Sequence, residues 1–158
     1  MSELKFIKKD YDLDVEQFLN HLSAQRPMYE LMNYTQKEIN KAQEIGKNLL
    51  RQNNFSEAKD VFYLLCFLDH FDFSNWLNLG KSEQLDHKYE EALTIYQTAL
   101  HLKPEDPFAY IYSYQCSLKL DEKEAAEKWL RFAIEACEPI EQLTGLTKKL
   151  KGALNEKR

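Results

Sequence analysis

Small and apolar residues return along this chain every 34 positions. Ala58, Ala92 and Ala126 keep that interval, as do Phe62, Tyr96 and Leu130, and Leu65, Ala99 and Ala133. Upstream, Gly46 and Gly80 share it, as do Ile45 and Leu79. A period of this length marks a repeat array, in which each unit buries its apolar face against its neighbours. The middle copy is the fullest: Trp76-Leu77-Asn78-Leu79-Gly80, then Tyr89-Glu90-Glu91-Ala92, Tyr96, Ala99-Leu100 and Pro104. Ala92, Tyr96 and Ala99 have the i, i+4, i+7 spacing of one helix face. Gly80 and Ala92 carry almost no side chain, so two helices can approach closely there. Tyr96 then fills the space between one pair and the next, and Pro104 stops the second helix.

This spacing predicts helices near 36–52, 55–69, 74–86, 89–102, 107–119 and 123–137, and a last one near 140–156 that covers the open end of the stack. Thr35 with Glu38 has the form of a capping box for the first. Val15, Phe18, Leu19 and Leu22 have helical spacing ahead of the array, and Pro27 interrupts them.

The pattern resembles the tetratricopeptide repeat, with its Trp-x-x-Leu-Gly and later Ala, aromatic, Ala and Pro positions. Three copies fall at about 39–72, 73–106 and 107–140. The first has Ala42 for the Trp and His70 for the Pro. The third has Tyr114 where a small residue is expected and Ser113 where Leu is usual, so its helix pair is expected to pack less closely. The expected fold is all-α: an N-terminal helical segment over 1–34, a three-repeat concave array over 35–140, and a capping helix over 141–158. In that repeat family the first helix of each pair lines the inner surface. The implied lining is Asn40, Gln43, Lys47 and Leu50 in the first copy. It is Ser74, Leu77, Asn78, Lys81 and Gln84 in the second, and Phe108, Ile111, Tyr112, Gln115 and Leu118 in the third. Amides and lysines at one end and apolar side chains at the other suit an extended peptide. Periodicity alone leaves Leu50, Ile111 and Leu118 open to a plain core role.

Composition narrows the class. Apolar residues make up 44% and charged residues 30%, enough for a packed core, and 4 Gly and 4 Pro favour long helices over many turns. A net charge of −5 is not the basic footprint of a nucleic-acid binder. The basic stretch Lys148-Lys149-Leu150-Lys151 to Lys157-Arg158 reads as a solvated helix end. Residues 1–10 have no apolar core region, so a secretory leader is not expected there. No apolar run approaches the roughly 20 residues of a membrane span. Cys66, Cys116 and Cys137 are odd in number and sit among apolar neighbours, which predicts reduced, buried thiols.

A second, more specific resemblance lies at the junction of the first two repeats. Val61-Phe62-Tyr63-Leu64-Leu65-Cys66-Phe67-Leu68-Asp69-His70-Phe71-Asp72, followed by Trp76-Leu77-Asn78-Leu79-Gly80, is similar to the class II chaperones of bacterial type III secretion systems. Those proteins share a Phe-x-x-Leu-Cys-x-Leu-Asp-His-Tyr/Phe-Asp run there. The likeness covers about 35–140. It implies a cytoplasmic bacterial chaperone that holds an extended N-terminal segment of a hydrophobic secreted translocator in its groove. The same resemblance gives Leu50, Leu77, Phe108, Ile111 and Leu118 the apolar pockets. Lys47, Asn78, Lys81 and Gln115 take the polar contacts. Family members often dimerise through the N-terminal region, which makes Val15, Phe18, Leu19 and Leu22 candidates for a homodimer interface or for packing on the first repeat.

No catalytic constellation, cofactor motif or metal site is expected. Cys66 and His70 are four apart, but no second ligand pair accompanies them. No nucleotide-binding glycine loop or nucleophile motif occurs. Glu90 and Glu91 read as a solvated helix face. The rival within the repeat class is another adaptor: an effector or needle-subunit chaperone, or a co-chaperone that clamps an acidic peptide terminus. For that clamp Asn78 fits, whereas Gln43, Lys47, Phe108 and Tyr112 stand where Lys, Asn, Lys and Arg are needed.

Overall fold

The computed structural model describes residues 15–24 and 26–155, without the side chains of Gln17 and Leu22. The first part of the expected N-terminal segment, the side chain of Leu22, and Lys157 and Arg158 of the basic tail lie outside the described residues. Among these there are nine α-helices and no strand. They are α1 (Val15–Ser23), α2 (Met28–Leu31), α3 (Gln36–Arg51), α4 (Phe55–Leu68), α5 (Phe73–Leu85), α6 (Tyr89–Leu102), α7 (Pro107–Lys119), α8 (Lys123–Cys137) and α9 (Thr144–Asn155). Helices α3 to α8 form three antiparallel pairs, and each begins and ends within one residue of the position expected from the period. The last helix starts later than expected, because a 3-10 turn at Glu141–Leu143 precedes it.

Local chemistry sets these limits. The Thr35 backbone N–H donates to Glu38 Oε2 at 2.7 Å, and the Glu38 N–H donates to Thr35 Oγ1 at 3.3 Å, so the capping box is complete. Asp72 and Asp106, again 34 apart, cap α5 and α7 by accepting from the N–H groups of Ser74 and Phe108. The turn within each pair has one geometry. Asn53, His87 and Asp121 all have φ near +60°. The next residue in each case donates five positions back: Asn54 to the Leu49 carbonyl, Lys88 to Glu83 and Glu122 to Ser117, each at 2.9 Å. This is the Schellman closure, which fills two of the helix's orphan carbonyls and reverses the chain. Three closures at the 34-residue interval stack the pairs in register.

Packing within a pair depends on one small residue facing one large one. A Cβ built on Gly46 would lie 2.7 Å from Phe62 Cζ, and one on Gly80 would lie 2.5 Å from Tyr96 Cε1. Phe62 and Tyr96 have no exposed surface. In the third pair the sizes are exchanged. Tyr114 occupies the glycine position and packs against the third-repeat core cluster, in which the ring's position is taken by the smaller Leu130. Ala126, Leu130 and Ala133 are completely buried there, and Ser113 hides its hydroxyl by donating to the Ala109 carbonyl at 2.9 Å. The expected loosening of the third pair does not occur, because the volume lost on one helix is supplied by the other.

The ends of the stack are closed. Leu150 of α9 is buried against Leu130, Ala133, Ile134 and Cys137, with Leu143, Leu146 and Leu154 around it. Lys148, Lys149 and Lys151 stay exposed, and Lys151 pairs with Glu138 at 2.7 Å. At the other end Met28 and Tyr34 are buried, and Tyr34 joins the first-repeat core with Ile39, Phe62 and Leu65.

Gly46→Ala should destabilise the protein by about 1–3 kcal/mol through overpacking on Phe62. In the Gly46→Ala, Phe62→Leu double variant the loss should be smaller than the sum of the single losses, because the smaller side chain makes room. Thermal or urea unfolding of the four proteins gives both numbers. Asp121→Gly should raise stability by about 0.5–1 kcal/mol in the same measurement, since it removes a side chain from a left-handed backbone position.

Candidate functional site: the inner face and its seams

First helices of successive pairs touch directly, α3 with α5 and α5 with α7. Their closeness makes theirs the concave side of the array. Two seams run along it, and side chains from the expected lining cross both. At the first seam Gln43 of α3 donates to Asp72 Oδ2 at 2.8 Å and to Asn75 Oδ1 at 2.9 Å. Asn75 is fully buried and donates to the Leu65 carbonyl at 3.4 Å. Gln43 therefore ties the first pair to the start of α5. At the second seam Gln84 of α5 donates to Gln115 Oε1 of α7 at 3.0 Å. Beneath it the Tyr96 hydroxyl donates to Gln84 Oε1 at 2.7 Å. The rings of Tyr96 and Tyr112 lie 5.4 Å apart, and Lys81 Nζ sits 5.0 Å above the Tyr112 ring, an arrangement in which the ring's negative face attracts the ammonium.

The remaining lining residues divide by exposure. Phe108 and Leu118, at opposite ends of α7, are 41% and 40% exposed. Leu50 and Leu77 are half-buried, leaning on the first-repeat core and on the Ala92–Tyr96–Cys116 cluster. Lys47 is half-buried and paired with Glu44 on its own helix at 2.8 Å, and Asn78 donates to the Ser74 carbonyl at 2.8 Å. Ile111 is 8% exposed and packs in the third-repeat core with Leu130, Ile134 and Leu150, so it has little surface to offer. Nothing in a 3.6-residue period distinguishes Ile111 from Phe108, because both fall on the face between core and groove.

The N-terminal candidates separate as well. Val15 and Leu19 are exposed. Phe18 is half-buried and lines an apolar cavity of about 500 Å³ together with Met28, Tyr63, Cys66, Phe67, His70, Trp76 and Leu79. Tyr63, Phe67 and Phe71 on and after α4 are exposed. Tyr110, Trp129 and Phe132 form an aromatic group on the third pair. Both groups went unread in the sequence: the first lay within the junction run, and the second carries no spacing of its own.

The junction run itself is structural. Leu65 offers its carbonyl to Asn75, and the His70 carbonyl accepts from Trp76 Nε1 at 2.9 Å. Asp69 accepts from the Phe71 N–H at 3.2 Å, and burial holds its carboxyl above the usual carboxylate range. Cys66 is buried in the first-repeat core, and among the described residues no group of three or more His, Cys, Asp or Glu side chains is placed to hold a metal ion. Burial pushes the thiols of Cys66 and Cys116 up to about 12 and raises that of Cys137.

Fold and seams together define a tetratricopeptide-type array of helix pairs with a polar-floored inner face. Its relatives narrow the class. Low calcium response locus protein H of Yersinia pestis is 26% identical over 127 residues, spanning 80% of this chain and 74% of that protein. A type III secretion complex from Aeromonas hydrophila contains a chain of the same fold, with a TM-score of 0.84 at 21% identity over 89% of this chain and 93% of that one. The Yersinia enterocolitica type III secretion chaperone SycD, solved with a peptide of the translocator YopD, superposes with a TM-score of 0.73 at 23% identity, over 77% and 93% of the two chains. No known protein-family profile matches the chain. The chain has the fold of the type III secretion translocator chaperones, in agreement with the resemblance carried by its junction run.

All three cysteines should resist a thiol reagent such as Ellman's at pH 8 in the native protein, because burial disfavours the thiolate that reacts. All three should react at once in denaturant. Rapid native labelling of even one would contradict the packing of that helix.

Proposed function

We propose that this chain is a cytoplasmic chaperone of a bacterial type III secretion apparatus, which holds an extended segment of a hydrophobic translocator against its inner face. The observation that carries the reading is the make-up of that face. Phe108 and Leu118 stand exposed at the two ends of α7, on either side of a polar seam formed by Gln84 and Gln115. Exposed apolar side chains with hydrogen-bonding groups between them match an extended peptide, whose side chains alternate with main-chain donors and acceptors. SycD, which shares the fold, was solved with a translocator peptide bound. The acidic-terminus clamp fits less well: Gln43 is already spent on Asp72 and Asn75, and Phe108 offers no charge.

Holding such a client has a clear physical use. A protein with long apolar stretches aggregates once made, and binding of its exposed segment lowers the free concentration that can do so. The work is binding rather than catalysis. No helix among the described residues is long and apolar enough to cross a membrane. A homodimer through Val15 and Leu19 belongs to the same reading, since both are exposed on α1.

Co-expression of the full chain with each translocator encoded in the same gene cluster, followed by affinity capture, tests the reading. A soluble complex with at least one is expected. Phe108→Glu and Leu118→Glu should each weaken the complex tenfold or more while shifting the melting temperature only slightly, because both positions are exposed. If both charged variants hold the client as well as the wild type does, the face assigned here is not the site.

A further inference from the structure

Resting on the chaperone reading, we propose that Tyr96 is a positioning residue. Through Gln84 it fixes Gln115 as a hydrogen-bond donor to a main-chain carbonyl of the held segment.

The argument starts from a buried hydroxyl. Tyr96 has no exposed surface, and Gln84 Oε1 is the acceptor its O–H reaches. A buried O–H without an acceptor is costly, so Gln84 must keep its oxygen toward Tyr96. The two ends of an amide are joined, and this choice turns Gln84 Nε2 toward the seam. There it donates to Gln115 Oε1 at 3.0 Å. The oxygen of Gln115 is thereby engaged, and its NH2 group is directed away from Gln84, on an exposed side chain. One buried proton thus sets the polarity of two amides, and the outer one presents N–H rather than C=O.

The protein contains its own control. Phe62 occupies the same place in the first pair, equally buried, with its ring against Gly46 as that of Tyr96 lies against Gly80. Filling the space above a glycine therefore needs a ring and no hydroxyl. The glutamine relay lies above Tyr96, and in the first pair the position 34 residues before Gln84 is Leu50, which has no amide for a hydroxyl to reach. The hydroxyl is thus accounted for by the seam rather than by the packing.

A chain of this polarity selects an acceptor. An extended segment crossing between Phe108 and Leu118 exposes main-chain carbonyls at every second residue on the facing side, and such a carbonyl is the acceptor that does not depend on client side chains. The seam would then contribute affinity that tolerates variation in client sequence.

The test uses the full-length protein with three variants: Tyr96→Phe, Gln115→Glu and Gln115→Ala. The probe is a synthetic peptide of the translocator segment that the wild type captures on co-expression. Tyr96→Phe should fold normally, as Phe62 does in its pair, and should shift the side-chain NH2 resonances of both Gln84 and Gln115 in the free protein. It should weaken the peptide roughly three- to tenfold, the range of one neutral hydrogen bond. Gln115→Ala should fall in the same range. Gln115→Glu places acceptors where a donor is needed and should weaken the peptide further than Gln115→Ala. Peptide affinity unchanged in Tyr96→Phe, or resonances of Gln115 that do not move, would overturn the relay. So would a Gln115→Glu variant that binds as tightly as wild type. Failure of the wild type to capture any translocator would instead remove the chaperone reading, and this inference with it.

Discussion

Everything in this array depends on how closely two antiparallel helices can approach, and that distance is set by a small side chain facing a large one. Gly46 lies under Phe62 and Gly80 under Tyr96, with no room for a further carbon atom. At the third pair Tyr114 and Leu130 exchange the roles. Once the pairs have a common width, identical turns at Asn53, His87 and Asp121 give them a common register. The inner face then follows, because α3, α5 and α7 are brought side by side. A side chain crossing from one of these helices to the next can do so only if both pairs are packed to the same depth.

This dependence explains what could be read from the sequence. The 34-residue recurrence of Ala, aromatic and Gly positions is the packing rule itself, so helices α3 to α8 were legible to within a residue. The close packing of the third copy is not legible in this way, because Tyr114 departs from the glycines at its own position and is matched only by the smaller Leu130 at another. Size complementarity is a property of two positions, and a single-position pattern does not contain it. The face of α7 was only half legible for a related reason. Phe108, Ile111 and Leu118 share a helix and an apolar character, but only the packing of α8 and α9 against it decides that Ile111 is covered. Side-chain pairings such as Gln43 with Asn75 and Gln84 with Gln115 join residues about 30 positions apart, and no local spacing announces them.

The junction run shows how a stretch can carry a resemblance while serving the frame. Leu65 to Asp72 ends α4, caps α5 and accepts from Gln43, Asn75 and Trp76. These acceptors are engaged within the frame. Residues that hold the first two pairs at a set angle govern the curvature of the whole inner face. Such a run can therefore accompany a binding function without touching what is bound. The binding surface proposed above lies instead on less conspicuous residues of α5 and α7, where a polar floor lies between two exposed apolar side chains.

Hydrogen–deuterium exchange of the full-length chain, alone and with a translocator that it captures on co-expression, tests the central claim most directly. Binding along the inner face slows exchange of residues that contact the client and steadies the helices bearing them. The account predicts new protection in α5 and α7, centred on residues 77–84 and 108–118, with little change on the outward face of α4. Protection confined to residues 15–23 and 63–71, with α5 and α7 unchanged, would contradict it and move the client to the apolar surface beside α1.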